Sequence, residues 1–274
     1  MATIAEQLTS LANTKTAIKD AIVAKGVTVA DTDPFSAYPA KIGEIQGGGG
    51  APATKFGASV DTWIGDVDEN GVLRKTTWTG ALNFAGVKEI GFEGLHYAFY
   101  NSQNITSVDL GSLQSVGEYG MYYAFNKCDG ITSVDLSSLT SVEYNGLRYA
   151  FYYCSNITSV DLSSLTSVGD NGLHNAFAQC SNITSVDLSS LTSVGDNGLQ
   201  HAFGYCSKLI IISFPLLTDV LSNSFGTSTA TSIFNKCTAL TEIHFRADMQ
   251  ATIEAMSQYA NKWGATNATI YFDL

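Results

Sequence analysis

The 274 residues are 45% hydrophobic and carry 14 Lys and Arg against 25 Asp and Glu, a net charge of -11. That apolar fraction supplies a packed core and excludes a disordered chain, while the negative charge repels a phosphate backbone and argues against nucleic acid as a partner. No stretch approaches a membrane span, and the first 25 residues lack a signal-peptide core, so a soluble chain made in the cytosol and not inserted in a membrane is expected.

The chain opens with a separate helical module at residues 1–46. Ile4, Leu8, Leu11, Ile18 and Ile22 follow the steps of a coiled-coil seam, with Lys15 as one cation within it. The pattern breaks at Gly26, and Asp33-Pro34 starts a second helical pattern through Phe35, Tyr38, Ile42 and Ile45, with Pro39 arguing for a kink. Two readings fit: a hairpin packing on itself, or an oligomerisation and docking segment for which a trimer suits best. A glycine-rich linker at 47–53 follows.

Residues 54–78 read as a β-hairpin cap turning at Asn70-Gly71. Asp66, Asp68 and Asn70 with Gly71 also match the first half of a calcium loop, but Thr77 stands where the bidentate Glu belongs. No metal is assigned.

From 79 to 245 the chain repeats every 26 residues: Ile105, Ile131, Ile157, Ile183 and Leu209 share one position, and residues 155–173 recur letter for letter at 181–199. A period of that length predicts an α/β leucine-rich-repeat solenoid. Alternation in Ser159-Val160-Asp161-Leu162 gives each coil one strand of a parallel sheet, with Val160 and Leu162 inward and Asp161 outward. In residues 147–154 the constant Leu147, Ala150, Phe151 and Cys154 fall at steps of 3, 1 and 3, which predicts short helices on the opposite side. A cap at 246–274 closes the sheet edge, with a helix from Met249 to Trp263 and a strand from Thr269 to Phe272.

Cys128, Cys154, Cys180 and Cys206 lie 26 apart, with Cys237 five late, a spacing that reflects the repeat and favours buried free thiols. Asp109, Asp135, Asp161 and Asp187 should form an outward column, either solvated, hydrogen-bonded to nearby hydroxyls or weakly cation-binding. His96, His174, His201 and His244 form no metal-spaced or nucleophile-paired set, and there is no phosphate loop or nucleophile elbow, so neither catalysis nor a cofactor is expected. What varies between coils is the pair of gaps in Leu-x-x-Ala-Phe-x-x-Cys. They hold Tyr97, Tyr100, Tyr122, Tyr123, Arg148, Tyr149, Tyr152, Tyr153, His174, Asn175, Gln179, Gln200, His201 and Tyr205, residue types suited to an outward contact surface.

The pattern Ala-Phe-x-x-Cys-x-x-[Ile/Leu]-Thr-Ser-Val-Asp-Leu resembles the BspA-like leucine-rich repeats of bacterial surface and phage proteins. Residues 15–45, and the C-terminal segment ending Lys262-Trp-Gly-Ala-Thr-Asn-Ala-Thr-Ile-Tyr-Phe-Asp-Leu274, resemble those joined to such repeats in phage and prophage tail-fibre or head-fibre proteins. The resemblance implies a non-enzymatic virion protein, attached to other virion proteins through residues 1–46 and reaching for a glycan or protein of the bacterial surface. A bacterial cell-surface adhesin and an intracellular scaffold are the other classes that such repeats serve.

Overall fold

The computed structural model describes residues 79–84 and 86–274. The seam residues Ile4, Leu8, Leu11, Ile18 and Ile22, the linker, the hairpin and the Asp66 loop lie outside them.

The repeat folds as a succession of short extended pieces, and each regular coil lays down two strands rather than the one expected. They are β1 (Thr79–Asn83) and β2 (Glu89–Ile90), β3 (Asn104–Asp109) and β4 (Ser115–Val116), β5 (Ser133–Asp135) and β6 (Ser141–Val142), β7 (Ser159–Asp161) and β8 (Ser167–Val168), β9 (Ser185–Asp187) and β10 (Ser193–Val194), then β11 (Ile211–Phe214) and β12 (Asp219–Val220). β13 (Glu242–Phe245), the short helix α1 (Gln250–Glu254) and β14 (Thr269–Phe272) follow. Stacking produces three sheets, β1-β3-β5-β7-β9, β12-β10-β8-β6-β4-β2 and β11-β13-β14, all paired in parallel. In the first two the regular register is one repeat, as in Asp135↔Asp161 and Val142↔Val168.

Inside, like side chains sit on like side chains. Phe99, Phe125, Phe151, Phe177 and Phe203 are fully buried and stack at centroid separations of 4.9, 5.2, 5.4 and 6.0 Å, with planes within 7° of parallel. All five cysteines are free and buried. Each thiol donates to the Phe carbonyl one coil back, from Cys128 on Phe99 at 3.0 Å to Cys206 on Phe177 at 3.4 Å, so a small apolar side chain also satisfies a buried acceptor. Burial pushes the Cys128 and Cys237 thiols up to about 12, which leaves them protonated as that donor role requires. Thr140, Thr166, Thr192 and Thr218 form a second ladder, each hydroxyl bonding a carbonyl of the preceding coil at 2.8–3.3 Å.

The wall bearing the Leu-x-x-Ala-Phe-x-x-Cys segment is not helical. Its amides alternate: His96, Ala98 and Tyr100 close turns onto the carbonyl three residues back, while Leu95, Tyr97, Phe99 and Asn101 donate to Gly120, Tyr122, Ala124 and Asn126 of the next coil at 2.7–2.9 Å. The turns are continued by a left-handed residue at every fourth position, such as Glu93, Tyr97 and Asn101 with φ of 51°, 55° and 59°. The physical reason lies in the spacing. Coils bound through parallel strands sit about 4.8 Å apart, whereas packed helices need roughly 8–10 Å between axes. A wall of turns fits the strand spacing and sends half its amides across to the neighbour.

The five extra residues before Phe234 are absorbed locally. A 3-10 turn at Thr229–Thr231 precedes the return to register, and Cys237 rejoins its ladder by bonding Phe203 O at 3.0 Å. The expected cap helix from Met249 to Trp263 is helical only over α1, flanked by 3-10 turns at Ala247–Met249 and Tyr259–Gly264. Beyond the end of α1, Gln258, Lys262 and Trp263 adopt left-handed backbone, and the indole lies inward. Trp263 is fully buried, donates to Ser257 O at 2.8 Å and packs edge-on against Phe225 and Phe245. β14 forms as expected and pairs with β13 in the register Glu242↔Thr269 to Phe245↔Phe272, so β14 and not β13 is the outer strand.

Candidate functional site

The variable residues of the wall fall at the left-handed positions and their neighbours, and the 26-residue register stacks them. Tyr97, Tyr123 and Tyr149 form an outer column with centroids 4.8 and 4.5 Å apart and planes 5° and 19° from parallel. All three have φ between 55° and 57°. Asn and Gly enter that region easily, whereas a bulky side chain there costs about 1–2 kcal/mol. The chain already uses Asn at the equivalent turn positions Asn145, Asn171 and Asn197. Stacking recovers about 0.5–1.5 kcal/mol per pair, so folding alone supplies little reason for tyrosine at these positions.

Around this column the other predicted residues gather in two groups. Tyr122 lies 4.7 Å from Tyr123 and 5.1 Å from His96, Tyr100 is 5.7 Å from Tyr97, and Tyr152 bridges Tyr149 at 5.3 Å and Tyr153 at 4.6 Å. The Arg148 guanidinium sits 5.6 Å from the Tyr149 ring and 6.0 Å from Tyr122, and His174 continues the column from Tyr149 at 5.8 Å. Further along, Asn175 is not the outward contact expected of it: it is buried and meets the ring of His201 at 2.6 Å. His201 lies 5.9 Å from exposed Tyr205, while Gln179 and Gln200 are half-buried and join no ring stack. Tyr97, Tyr100, Tyr153 and Tyr205 are the most exposed predicted tyrosines, at 38–42%.

Electrostatically the aromatic band is neutral. Burial raises the Tyr123 phenol well above its usual value, helped by Tyr149 and other neighbouring phenols, and raises Tyr152 to about 12. Burial also lowers His174 to about 4, with Arg148 adding to the effect, and lowers His201 and His96. At neutral pH the band therefore offers protonated hydroxyls, neutral imidazoles and ring edges, because the faces of the central rings are covered by one another. Lys127, with its amine 5.9 Å from the Tyr100 ring, and Arg148 supply the positive charge.

Several residues belong here that were not anticipated. Tyr119 and Tyr144 meet at 5.5 Å and join the band through Tyr122, while Asn145 and Asn171 hold Arg148 and His174 at 3.1 and 3.2 Å. Tyr119, Asn145 and Asn171 occupy the same four-residue series as Tyr123, Tyr149 and Asn175. Coil six carries another signal. Ile210, Ile211, Leu216 and Leu221 stand where the coil before has Thr184, Ser185, Ser190 and Gly195, and all four are about half exposed. Aligning the coils outside the wall would have found them.

The outward aspartates are anchored to the backbone. Asp109, Asp135, Asp161 and Asp187 each accept the amide two residues on, at 2.9–3.0 Å, and Asp135 also accepts the Ser137 hydroxyl at 2.7 Å. Among the described residues no group of three His, Cys, Asp or Glu is placed to hold a metal ion, and no helix is long and apolar enough to cross a membrane.

The family described as the BspA type leucine rich repeat region matches residues 95–231, half of the chain, in six copies. The chain belongs to the BspA-type leucine-rich-repeat family. A search of the curated proteins finds no match. Among solved structures, the BspA-type chain is similar to a leucine rich cell surface protein from Faecalibacterium prausnitzii A2-165, at 13% identity over 70% of this chain and 59% of that one, with a TM-score of 0.33. It is also similar to a leucine-rich repeat protein from Bacteroides ovatus ATCC 8483, at 14% identity over 75% of this chain and 73% of that one, with a TM-score of 0.29. The chain thus spans 59% of the length of the first, and neither likeness bears on what the BspA-type coils bind.

Proposed function

We propose that this is a non-enzymatic binding protein whose tyrosine wall contacts a glycan or protein of a bacterial surface. The observation that carries this reading is the placement of Tyr97, Tyr123 and Tyr149 at left-handed backbone positions, where stacking does no more than offset a strain that Asn would avoid. Selection for contact accounts for them; selection for stability does not. Tyrosine also combines large contact area with modest ordering cost. Replacing Tyr149, Tyr152 and Tyr153 with Ser should reduce adsorption of the purified protein to its host cells at least tenfold with the fold intact. Unchanged adsorption would move the contact surface elsewhere.

The setting we propose is a phage virion, as a tail-fibre or head-fibre component held to other virion proteins through residues 1–46 and assembled as a homo-oligomer, a trimer by preference. Support comes from the resemblance of the N- and C-terminal segments to such fibres and from the seam of Ile4, Leu8, Leu11, Ile18 and Ile22. Mass spectrometry of purified particles should find the chain in stoichiometric copies, and its absence would reject this setting. Light scattering should give a several-fold smaller mass for residues 51–274 than for the full chain; equal masses would remove the oligomerising role.

A further inference from the structure

The charge on the regular coils is unevenly placed. Between residues 92 and 206 there are ten acidic residues and two cations, Lys127 and Arg148, and both cations stand on the tyrosine wall. Neither joins an ion pair among the described residues. The ion pairs among the described residues are His96–Glu93, His244–Glu242, His244–Asp273 and Arg246–Asp248. A half-buried guanidinium on coils this acidic has carboxylates available, yet Arg148 forms no ion pair among the described residues.

Arg148 is instead held in place by neutral groups. Tyr122 and Tyr149 lie within 6.0 Å of its Cζ, and Nη1 donates to Asn145 Oδ1 at 3.1 Å. Nε is buried without a partner, and Nη2 makes no hydrogen bond among the described residues. Asn145 is itself buried, which fixes the fork from behind. The result is an oriented cation with donor capacity unused, bordered by phenol hydroxyls and ring edges, the arrangement that recognises a planar carboxylate. One cation matches a single negative charge, whereas a dianionic phosphate would meet stronger repulsion from the acidic chain.

Resting on the contact surface proposed above, we infer that Arg148 is an anion-recognition residue of the tyrosine wall, and that the ligand is a carboxylate-bearing saccharide. Its carboxylate would dock on Nη2, while the sugar hydroxyls bond the neighbouring phenols.

The test is calorimetric titration of the full-length protein with polygalacturonate and with its methyl ester, which keeps the sugar and removes the charge. Polygalacturonate should bind at least tenfold more tightly than the ester, with affinity falling as salt rises. R148Q should abolish that preference and R148K should retain part of it, because Lys keeps the charge but not the fork. Equal binding of acid and ester, no binding of the acid, or an acid preference that survives R148Q would each overturn the inference. A variant that merely loosens the wall would weaken both ligands alike, which also counts against it. The broader reading fails separately, on host-cell adsorption by the Tyr149, Tyr152 and Tyr153 variant.

Discussion

Two aromatic columns run along the same coils, one inside and one outside, and only the inner one is unbroken. Phenylalanine occupies every position from Phe99 to Phe203, whereas the outer column holds Tyr97, Tyr123 and Tyr149 and then changes to Asn175 and His201. The ring geometry is nearly the same, because a common register imposes it on both. What differs is burial. An inner ring that is lost leaves a cavity flanked by two more rings, while an outer ring that is lost leaves water and a relaxed backbone. Uniformity inside thus follows from packing, and variation outside is tolerated because packing does not fix those side chains.

Four substitutions or titrations separate the two columns. The largest effect belongs to Phe151→Ala at the centre of the inner column, which should cost about 3–5 kcal/mol in denaturant unfolding. A cost below about 1 kcal/mol would mean that the coils do not depend on the stack. Next is acid. His174 has a folded pKa of about 4, below its ordinary 6.5, so the unfolded chain takes up the proton first. The stability that neutral His174 contributes is complete above about pH 6.5 and is lost as pH falls toward 4. Melting should drop by several degrees between pH 7 and pH 4.5, and H174Q should flatten that slope, leaving the smaller part due to His201. Third, Cys180→Ala removes the donor to Phe151 O and should cost about 1–2 kcal/mol. The native chain should also resist a thiol reagent that titrates all five cysteines once it is unfolded. The smallest change is expected of Tyr149→Asn, where the lost stacking and the relieved backbone offset each other to within about 1 kcal/mol. A loss as large as that of Phe151→Ala would make the outer column structural.

The strands facing the core were legible because alternation and a 26-residue period coincide in Val134, Val160 and Val186. The second sheet was not, since pairs such as Ser115–Val116 and Ser141–Val142 are too short for alternation to register. The wall was misread for a more instructive reason. Steps of 3, 1 and 3 place Leu147, Ala150, Phe151 and Cys154 on one side of either a helix or a run of four-residue turns, and only the distance between coils decides. Which residues share the wall was largely readable from variation between coils, but the contacts among them were not. Nothing local to Asn175 announces that it is buried against His201, or to Asn145 that it orients Arg148. Trp263 likewise sat at a helical spacing, and its left-handed backbone leaves no mark on hydrophobic periodicity.

The alternating amides of the wall have a consequence for how such a chain can change over generations. Half of them bond within their own coil and half to a carbonyl in the next, so a unit of one period carries donors on one face and the matching acceptors on the other. Duplicating or deleting 26 residues would reproduce every ladder with no new junction to solve, and the identical stretches at 155–173 and 181–199 are what a recent duplication leaves behind. Each such event slides the tyrosine-rich and tyrosine-poor sections relative to one another by one strand spacing. The chain can thereby lengthen its reach or reshuffle its contact surface as a set of interchangeable cassettes, while the core remains in register.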